Sequence, residues 1–285
     1  MKIKSKKQGA ELTSIIVNEK EKLHQGKSIL DEEGNPFWNR HAPILFPIVG
    51  QLKEGKTLIN GKEYKMGQHG FARDMDFIEI EKNDKIHKYI LKYNDETLKK
   101  YPFKFELEVC YEIKNENTLS IKYKVKNIDN KEIQFGLGGH PAFICDYKTG
   151  EYELEFKERE DKIKFLKLKN GLISNEQSDN LIEEGNKIKL NNNTFDNDSL
   201  ILTNIKSNTI TLKNHIKNEK LLEFDFTGFP YLGIWSKKGA PFVCIEPWYN
   251  TADNNASSGI FERKENILKL PSKEDFKCEY LIKFF

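Results

Sequence analysis

The sequence predicts an all-β protein built of antiparallel strands, arranged as a sandwich or a barrel. Three observations carry this reading. Apolar and polar residues alternate with a period of two, turns rich in Asn, Asp, Lys and Gly cut the chain into short pieces, and no stretch keeps a helical period over three turns. An α/β fold would require helical segments between its strands, and the pattern supplies none.

The clearest strand starts at Phe103. Phe103, Phe105, Leu107, Val109, Tyr111 and Ile113 share one parity, and Lys104, Glu106, Glu108 and Glu112 share the other, as in a half-buried antiparallel strand. Asn115-Glu116-Asn117 supplies a turn, and the alternation resumes at Leu119, Ile121, Tyr123 and Val125. It breaks at Asn127-Ile128-Asp129-Asn130 and returns at Ile133 and Phe135, as in a meander. Before this block, Phe77 to Ile80 and Lys88 to Leu91 read as strands. After it come Ser199 to Thr203, Thr209 to Leu212, Leu221 to Phe226, Phe242 to Ile245 and Phe276 to Phe285. Asn191-Asn192-Asn193 with Asp196, Asn197 and Asp198 reads as a polar surface loop. No linker composition and no internal repeat divides the chain, so residues 1–285 are taken as a single domain.

Composition excludes some partners. The 46 basic residues nearly cancel the 44 acidic ones, for a formal net charge of +2, which gives no electrostatic reason to expect nucleic acid or an anionic membrane. Only Arg40, Arg73, Arg159 and Arg263 are arginines among those 46. The basic start Met1 to Lys7 is not followed by the apolar stretch that export requires, and the best apolar run, Ala42 to Val49, is too short for a span and carries two prolines. A cytoplasmic location is the expectation. Cys110, Cys145, Cys244 and Cys278 form no Cys-x-x-Cys pair, and Cys110 and Cys244 read as buried free thiols.

Four segments set polar residues in apolar or Gly/Pro surroundings. In Trp38 to Gly50, Arg40 precedes an apolar segment bounded by prolines, so its guanidinium must find acceptors at a core edge, either a ligand or a structural carboxylate. His41 beside it reads as structural. In Gly67 to Phe77, His69 lies among small residues, and Arg73, Asp74 and Asp76 either point into one cleft or pair among themselves. Phe135 to Phe143 places three glycines before His140, and Pro141 restricts His140 to an extended conformation suited to a side chain that must be aimed. In Ala240 to Asn250, Glu246 ends an apolar strand before Pro247 and Trp248, where desolvation raises a carboxyl pKa toward that of a general base.

The glycines before His140 lack the G-x-G-x-x-G spacing, no G-K-[ST] sequence occurs, and Cys244 has no glycine elbow, so nucleotide binding and nucleophilic catalysis are unsupported. His69, His140 and Glu246 leave two chemistries open. They are proton transfer, or a non-haem metal, against which stands the absence of any closely spaced ligand pair. A glycosidase would want a second carboxylate like Glu246, and none has a comparable setting.

Arg40-His41-Ala42-Pro43-Ile44-Leu45-Phe46-Pro47, His69-Gly70-Phe71-Ala72-Arg73, Gly139-His140-Pro141-Ala142-Phe143 and Ile245-Glu246-Pro247-Trp248, in this order, resemble the galactose mutarotase (aldose 1-epimerase) family, in the branch that includes the LacX proteins. The resemblance implies a large antiparallel β-sandwich, neither metal nor cofactor, and a sugar site on one sheet. It implies His140 as general acid, Glu246 as general base, and Arg40 and His69 as sugar-binding residues. Arg73, Phe143 and Trp248 are added as candidates for that cleft, the aromatics to stack on the sugar. The family's hydroxyl-binding aspartate has no matching motif here, although Asp225 is available. Free hexose is the expected substrate. A hexose 6-phosphate, gripped by Arg40 and Arg73, and a silent sugar-binding protein are the alternatives.

Overall fold

The computed structural model describes residues 1–160, 163–176, 181–182 and 185–285. Two antiparallel sheets form the body of the molecule. The larger has nine strands, in the spatial order Lys187–Leu190, Tyr152–Phe156, Thr209–Asn214, Glu219–Asp225, Asp275–Phe284, Thr118–Asn127, Phe105–Ile113, Ile86–Lys92 and Ile78–Lys82. Two strands of the meander read from alternation pair within it, with Leu119 opposite Ile113 and Val125 opposite Leu107, whereas the expected third, Ile133–Phe135, leaves this sheet and pairs with Leu268–Leu270. Phe105, Leu107, Val109 and Tyr111 face the core, and Glu106, Glu108 and Glu112 pair outside with Lys92, Lys88 and Lys122.

The second sheet runs Lys164–Leu166, Leu200–Thr203, Tyr231–Trp235, Phe242–Trp248, Gly138–Gly139 and Ile44–Leu45, with Ala142–Ile144 also on Phe242–Trp248. Its inner face contributes Val243, Ile245, Leu232 and Ile234 to the main core, opposite Phe224, Tyr280 and Ile282 of the larger sheet. Its outer face is covered too. One small cluster joins Ala142, Ala240, Phe242 and Cys244 to Trp38 and Trp235, and another joins Leu45, Val49, Ile201, Tyr231, Trp248 and Ala252. Every residue of Phe242–Trp248 is therefore buried.

The one α-helix among the described residues, Asp95–Lys100, has six residues, in keeping with the lack of a three-turn helical period, and is started by Asn94 and Thr97, whose side chains and backbone N–H groups bond reciprocally. One expectation is corrected here. Cys110 has the outward parity of its strand, opposite Lys122, and is only half-buried, whereas Cys244 is fully buried as expected. Among the described residues, no helix is long and apolar enough to cross a membrane.

Candidate active site

The floor of the site is the outer face of Phe242–Trp248. Cys244, Glu246 and Trp248 share that face by parity, and Glu246 falls between the two apolar clusters. Trp248 lies flat because its neighbours lack side chains. A Cβ on Gly138 would come within 2.6 Å of its indole and one on Gly233 within 2.7 Å. Above this floor opens a cleft of about 660 Å³ lined by His69, Arg73, His140, Glu246, Trp248, Trp38, Trp235, Asp198 and Lys237, among others.

His140 follows the strand Gly138–Gly139, and its backbone N–H donates to the Pro43 carbonyl at 3.1 Å. Its ring is boxed by aromatics: Trp38 is stacked at 5.0 Å between centroids, with Trp235 and His69 each edge-on at 5.6 Å. Nε2 lies 3.2 Å from Oε2 of Glu246. The two atoms are near without being aligned as a hydrogen bond, and Oε2 of Glu246 and Nδ1 of His140 have no hydrogen-bond partner among the described residues. Burial dominates both titrations. It pushes the His140 imidazole down to about 3, with the Arg73 charge acting in the same direction. It pushes the Glu246 carboxyl well above the usual carboxylate range, Trp248 opposing this and the Asp198 charge adding to it.

His69 is held by a reciprocal pair. Its backbone N–H donates to Gly50 O at 2.8 Å, and Gly50 N–H donates to its Nδ1 at 3.1 Å. With Nδ1 accepting, the neutral ring carries its proton on Nε2. Burial first, then the nearby His140, Arg73 and Arg40, hold its pKa well below that of an ordinary histidine. The turn is possible because Gly70 has φ +72° and passes so close to Phe46 that a Cβ would lie 2.3 Å from its carbonyl oxygen. Glu11 fixes the entering segment, accepting from His41 N–H at 2.7 Å and Ala42 N–H at 3.3 Å, with Lys6 Nζ at 2.6 Å.

The structure brings His140, Glu246, His69, Arg73 and Trp248 into one cleft. Arg73 donates to Gln68 O at 2.7 Å and keeps Asp74 at 3.9 Å, and burial lowers its pKa only to about 10, so it stays cationic at neutral pH. Arg40 is not among the lining residues. It sits at the rim, where it donates to Asp74 at 2.9 Å, a partner close in space and 34 residues away in sequence. Phe143 is a correction. In Ala142–Ile144, Ala142 packs into the outer cluster with Phe242 and Cys244, while Phe143 turns into the main core against Phe224 and Phe284 and lines no part of the cleft. Asp225, which matched no motif in the sequence, lies on the larger sheet and accepts from Thr227. The aspartate in the cleft is Asp198, with Ser199 and Phe195, from the Asn-rich segment expected to be mere surface loop. Its nearness to the apolar strand Leu200–Thr203 was the signal available in sequence.

For metal chemistry, the ligand atoms of His140, Cys244 and Glu246 lie within 4.8 Å of one another. Otherwise the arrangement sets a carboxyl and an imidazole side by side, flanked by donors (His69 Nε2, Arg73), an acceptor (Asp198) and aromatic faces.

The family model for aldose 1-epimerase matches residues 1–257. The plasmid-encoded protein LacX of Lactococcus lactis subsp. lactis is 31% identical over 283 residues, covering 95% of this chain and 92% of that protein. A galactose mutarotase related enzyme from Lactobacillus acidophilus superposes with a TM-score of 0.89 at 31% identity, over 99% of this chain and 94% of its own. A galactose mutarotase-like protein from Lactobacillus casei does so with a TM-score of 0.89 at 30% identity, over 100% and 97%.

Proposed function

Because the chain belongs to the aldose 1-epimerase family, we propose that it interconverts the α and β anomers of a free hexose, using His140 and Glu246 as its acid and base and no cofactor. The observation that carries the reading is the spacing of 3.2 Å between Nε2 of His140 and Oε2 of Glu246 at the floor of the cleft. The anomeric hydroxyl and the ring oxygen are attached to the same carbon, so two groups this close reach both.

Ring opening needs a base for the proton of the anomeric hydroxyl and an acid for the ring oxygen as the bond between the anomeric carbon and that oxygen breaks. Glu246 as carboxylate takes the first proton, and His140 as imidazolium gives the second. The open-chain aldehyde turns about its terminal carbon–carbon bond. The carboxyl then returns its proton to the carbonyl oxygen, while the imidazole takes back the proton of the attacking hydroxyl, closing the ring on the other face. Net charge on the pair never changes. Burial favours the uncharged tautomer, carboxyl with imidazole, in the free cleft. The opening tautomer differs from it by one proton moved between two neighbouring atoms. Each group accounts for about 10²–10⁴-fold of rate.

His69 Nε2–H and Arg73 donate to sugar oxygens, and Asp198 accepts from sugar hydroxyls, the role for which Asp225 had been available. Trp38, Trp235 and Trp248 offer apolar faces to the ring. The free-sugar reading is supported by the engagement of both guanidinium groups, Arg40 with Asp74 and Arg73 with Gln68 O, which leaves no unengaged pair of them to grip a phosphate. Polarimetry of freshly dissolved α-glucose, α-galactose and glucose 6-phosphate tests the proposal. Acceleration of the free sugars over buffer supports it, and acceleration confined to the phosphate ester contradicts it.

A further inference from the structure

We propose that His140, Cys244 and Glu246 form a latent binding site for a thiophilic divalent cation such as Zn²⁺, and that a cation held there shuts off the acid–base pair. The shut-off rests on the function proposed above; the binding does not. Cys244 and Glu246 project from the same face of Phe242–Trp248, and His140 reaches over them from beyond Gly139. An imidazole nitrogen, a thiol sulfur and a carboxylate oxygen all fall within 4.8 Å of one another, and all three residues are buried. Ligand atoms around a tetrahedral Zn²⁺ stand about 3.5 Å apart, so a modest inward rotation of side chains closes the set.

A second observation separates this from a chance group of side chains. Oε2 of Glu246 is buried and has no hydrogen-bond partner among the described residues, so no bond among them holds it away from a cation. His140 and Glu246 line the cleft, which gives the cation its entry, and Cys244 lies beneath them against Ala142 and Phe242. Mutarotation as proposed has no use for the thiol. The donor set of nitrogen, sulfur and oxygen selects Zn²⁺ or Cd²⁺ and disfavours Mg²⁺ and Ca²⁺. On binding, the S–H bond of Cys244 and the O–H bond of Glu246 break, both protons leave to the buffer, and metal–sulfur and metal–oxygen bonds replace them. His140 Nε2 and Glu246 Oε2, the two facing atoms, are then committed to the cation and no longer free to exchange protons with a sugar.

The experiment is a titration of the full chain with Co²⁺, read by absorption, and with Zn²⁺, read by calorimetry and polarimetry. The expected result is one equivalent of Co²⁺ with a thiolate-to-cobalt charge-transfer band, displaced by Zn²⁺ and untouched by Mg²⁺. Cys244→Ala is expected to lose the band, weaken Zn²⁺ by at least about tenfold, and keep basal mutarotation while escaping inhibition. Cys244→Ser, closer in volume, is expected to lose the band as well. Absence of the band in the wild-type protein overturns the proposal, as does a band that survives in both Cys244 variants and disappears in Cys110→Ala. Full mutarotation with one equivalent of Zn²⁺ bound overturns the shut-off. If the band forms in a protein that accelerates no sugar, the site stands and the proposed function falls.

Discussion

Nε2 of His140 stands 3.2 Å from Oε2 of Glu246, and neither atom is committed to the other by a hydrogen bond. A fully formed internal bond would have to be broken before a sugar could enter. Spacing without alignment leaves an acceptor and a donor waiting for a ligand. Burial by Trp38, Trp235 and the strand floor keeps the pair uncharged overall, so the proposed proton transfer requires no change in net charge inside a low-dielectric site.

This protonation sets the pH profile. With His140 pushed down to about 3 and Glu246 raised, the pair holds its working proton from acid pH through neutrality. The rate of mutarotation at sub-saturating sugar is expected to be flat from about pH 5 to pH 7.5, with no inflection near 6.5, where an ordinary histidine titrates. A clear sigmoidal rise centred near 6.5 would show that His140 is solvated and titrates alone.

His69 is expected to keep one tautomer. Gly50 N–H occupies Nδ1, so the ring proton resides on Nε2 and points to the cleft. Nitrogen chemical shifts of the imidazole are expected to report neutral, Nε2-protonated His69 throughout pH 5–8. Signals of a cationic ring at pH 6 would contradict the geometry.

Much of this site was legible before the fold was known, and the exceptions share a cause. Outward Lys and Glu betray the faces of Phe105–Ile113 and Thr118–Asn127, because one side of the larger sheet meets water. The second sheet is covered on both faces, so Phe242–Trp248 and Ala142–Ile144 offer too little polar contrast to show which way a residue points. Phe143 went to the core for that reason. Asp198 and the Arg40–Asp74 pair depend on loops that meet only after the sheets stack, and alternation within one strand carries no information about such meetings. His69, His140 and Glu246 were legible because Gly, Pro and apolar neighbours mark side chains that the backbone aims.

Glu11 couples the cleft to acid stability. Burial opposes its charge, but His41, Lys6 and the His41 N–H together lower its pKa from 4.5 to about 2. A depressed carboxyl contributes stability above its unfolded pKa and loses it as pH falls through its folded one, so the loss is placed between about pH 4.5 and pH 2. Urea denaturation is expected to show Glu11→Gln less stable by about 3 kcal/mol at pH 7, with the difference shrinking below pH 4. Equal stability of the two proteins at pH 7 would remove Glu11 from this role.

Gly70→Ala is expected to cost both stability and activity. The new methyl group meets the Phe46 carbonyl oxygen at 2.3 Å on a backbone with φ +72°. A loss of about 2 kcal/mol or more is expected on thermal unfolding, with mutarotation reduced because His69 is displaced. Wild-type stability with wild-type rate would mean that the turn relaxes freely.

Arg73→Ala and Arg40→Ala are expected to differ. Arg73 lines the cleft, so its loss raises KM for a free hexose by about tenfold, as removal of a charged hydrogen bond does. Arg40, engaged with Asp74 at the rim, is expected to change KM by about twofold or less. Steady-state polarimetry of both variants decides it, and the reverse order would place the sugar at the rim.

The most direct measurement is polarimetry of α-galactose and α-glucose with His140→Asn, Glu246→Gln and the double variant, each confirmed folded by circular dichroism. The account predicts that each single change lowers the catalysed rate by about 10²–10⁴-fold and that the double variant is little slower than either single one, because the two act as a unit. Single variants that retain the wild-type rate would contradict it.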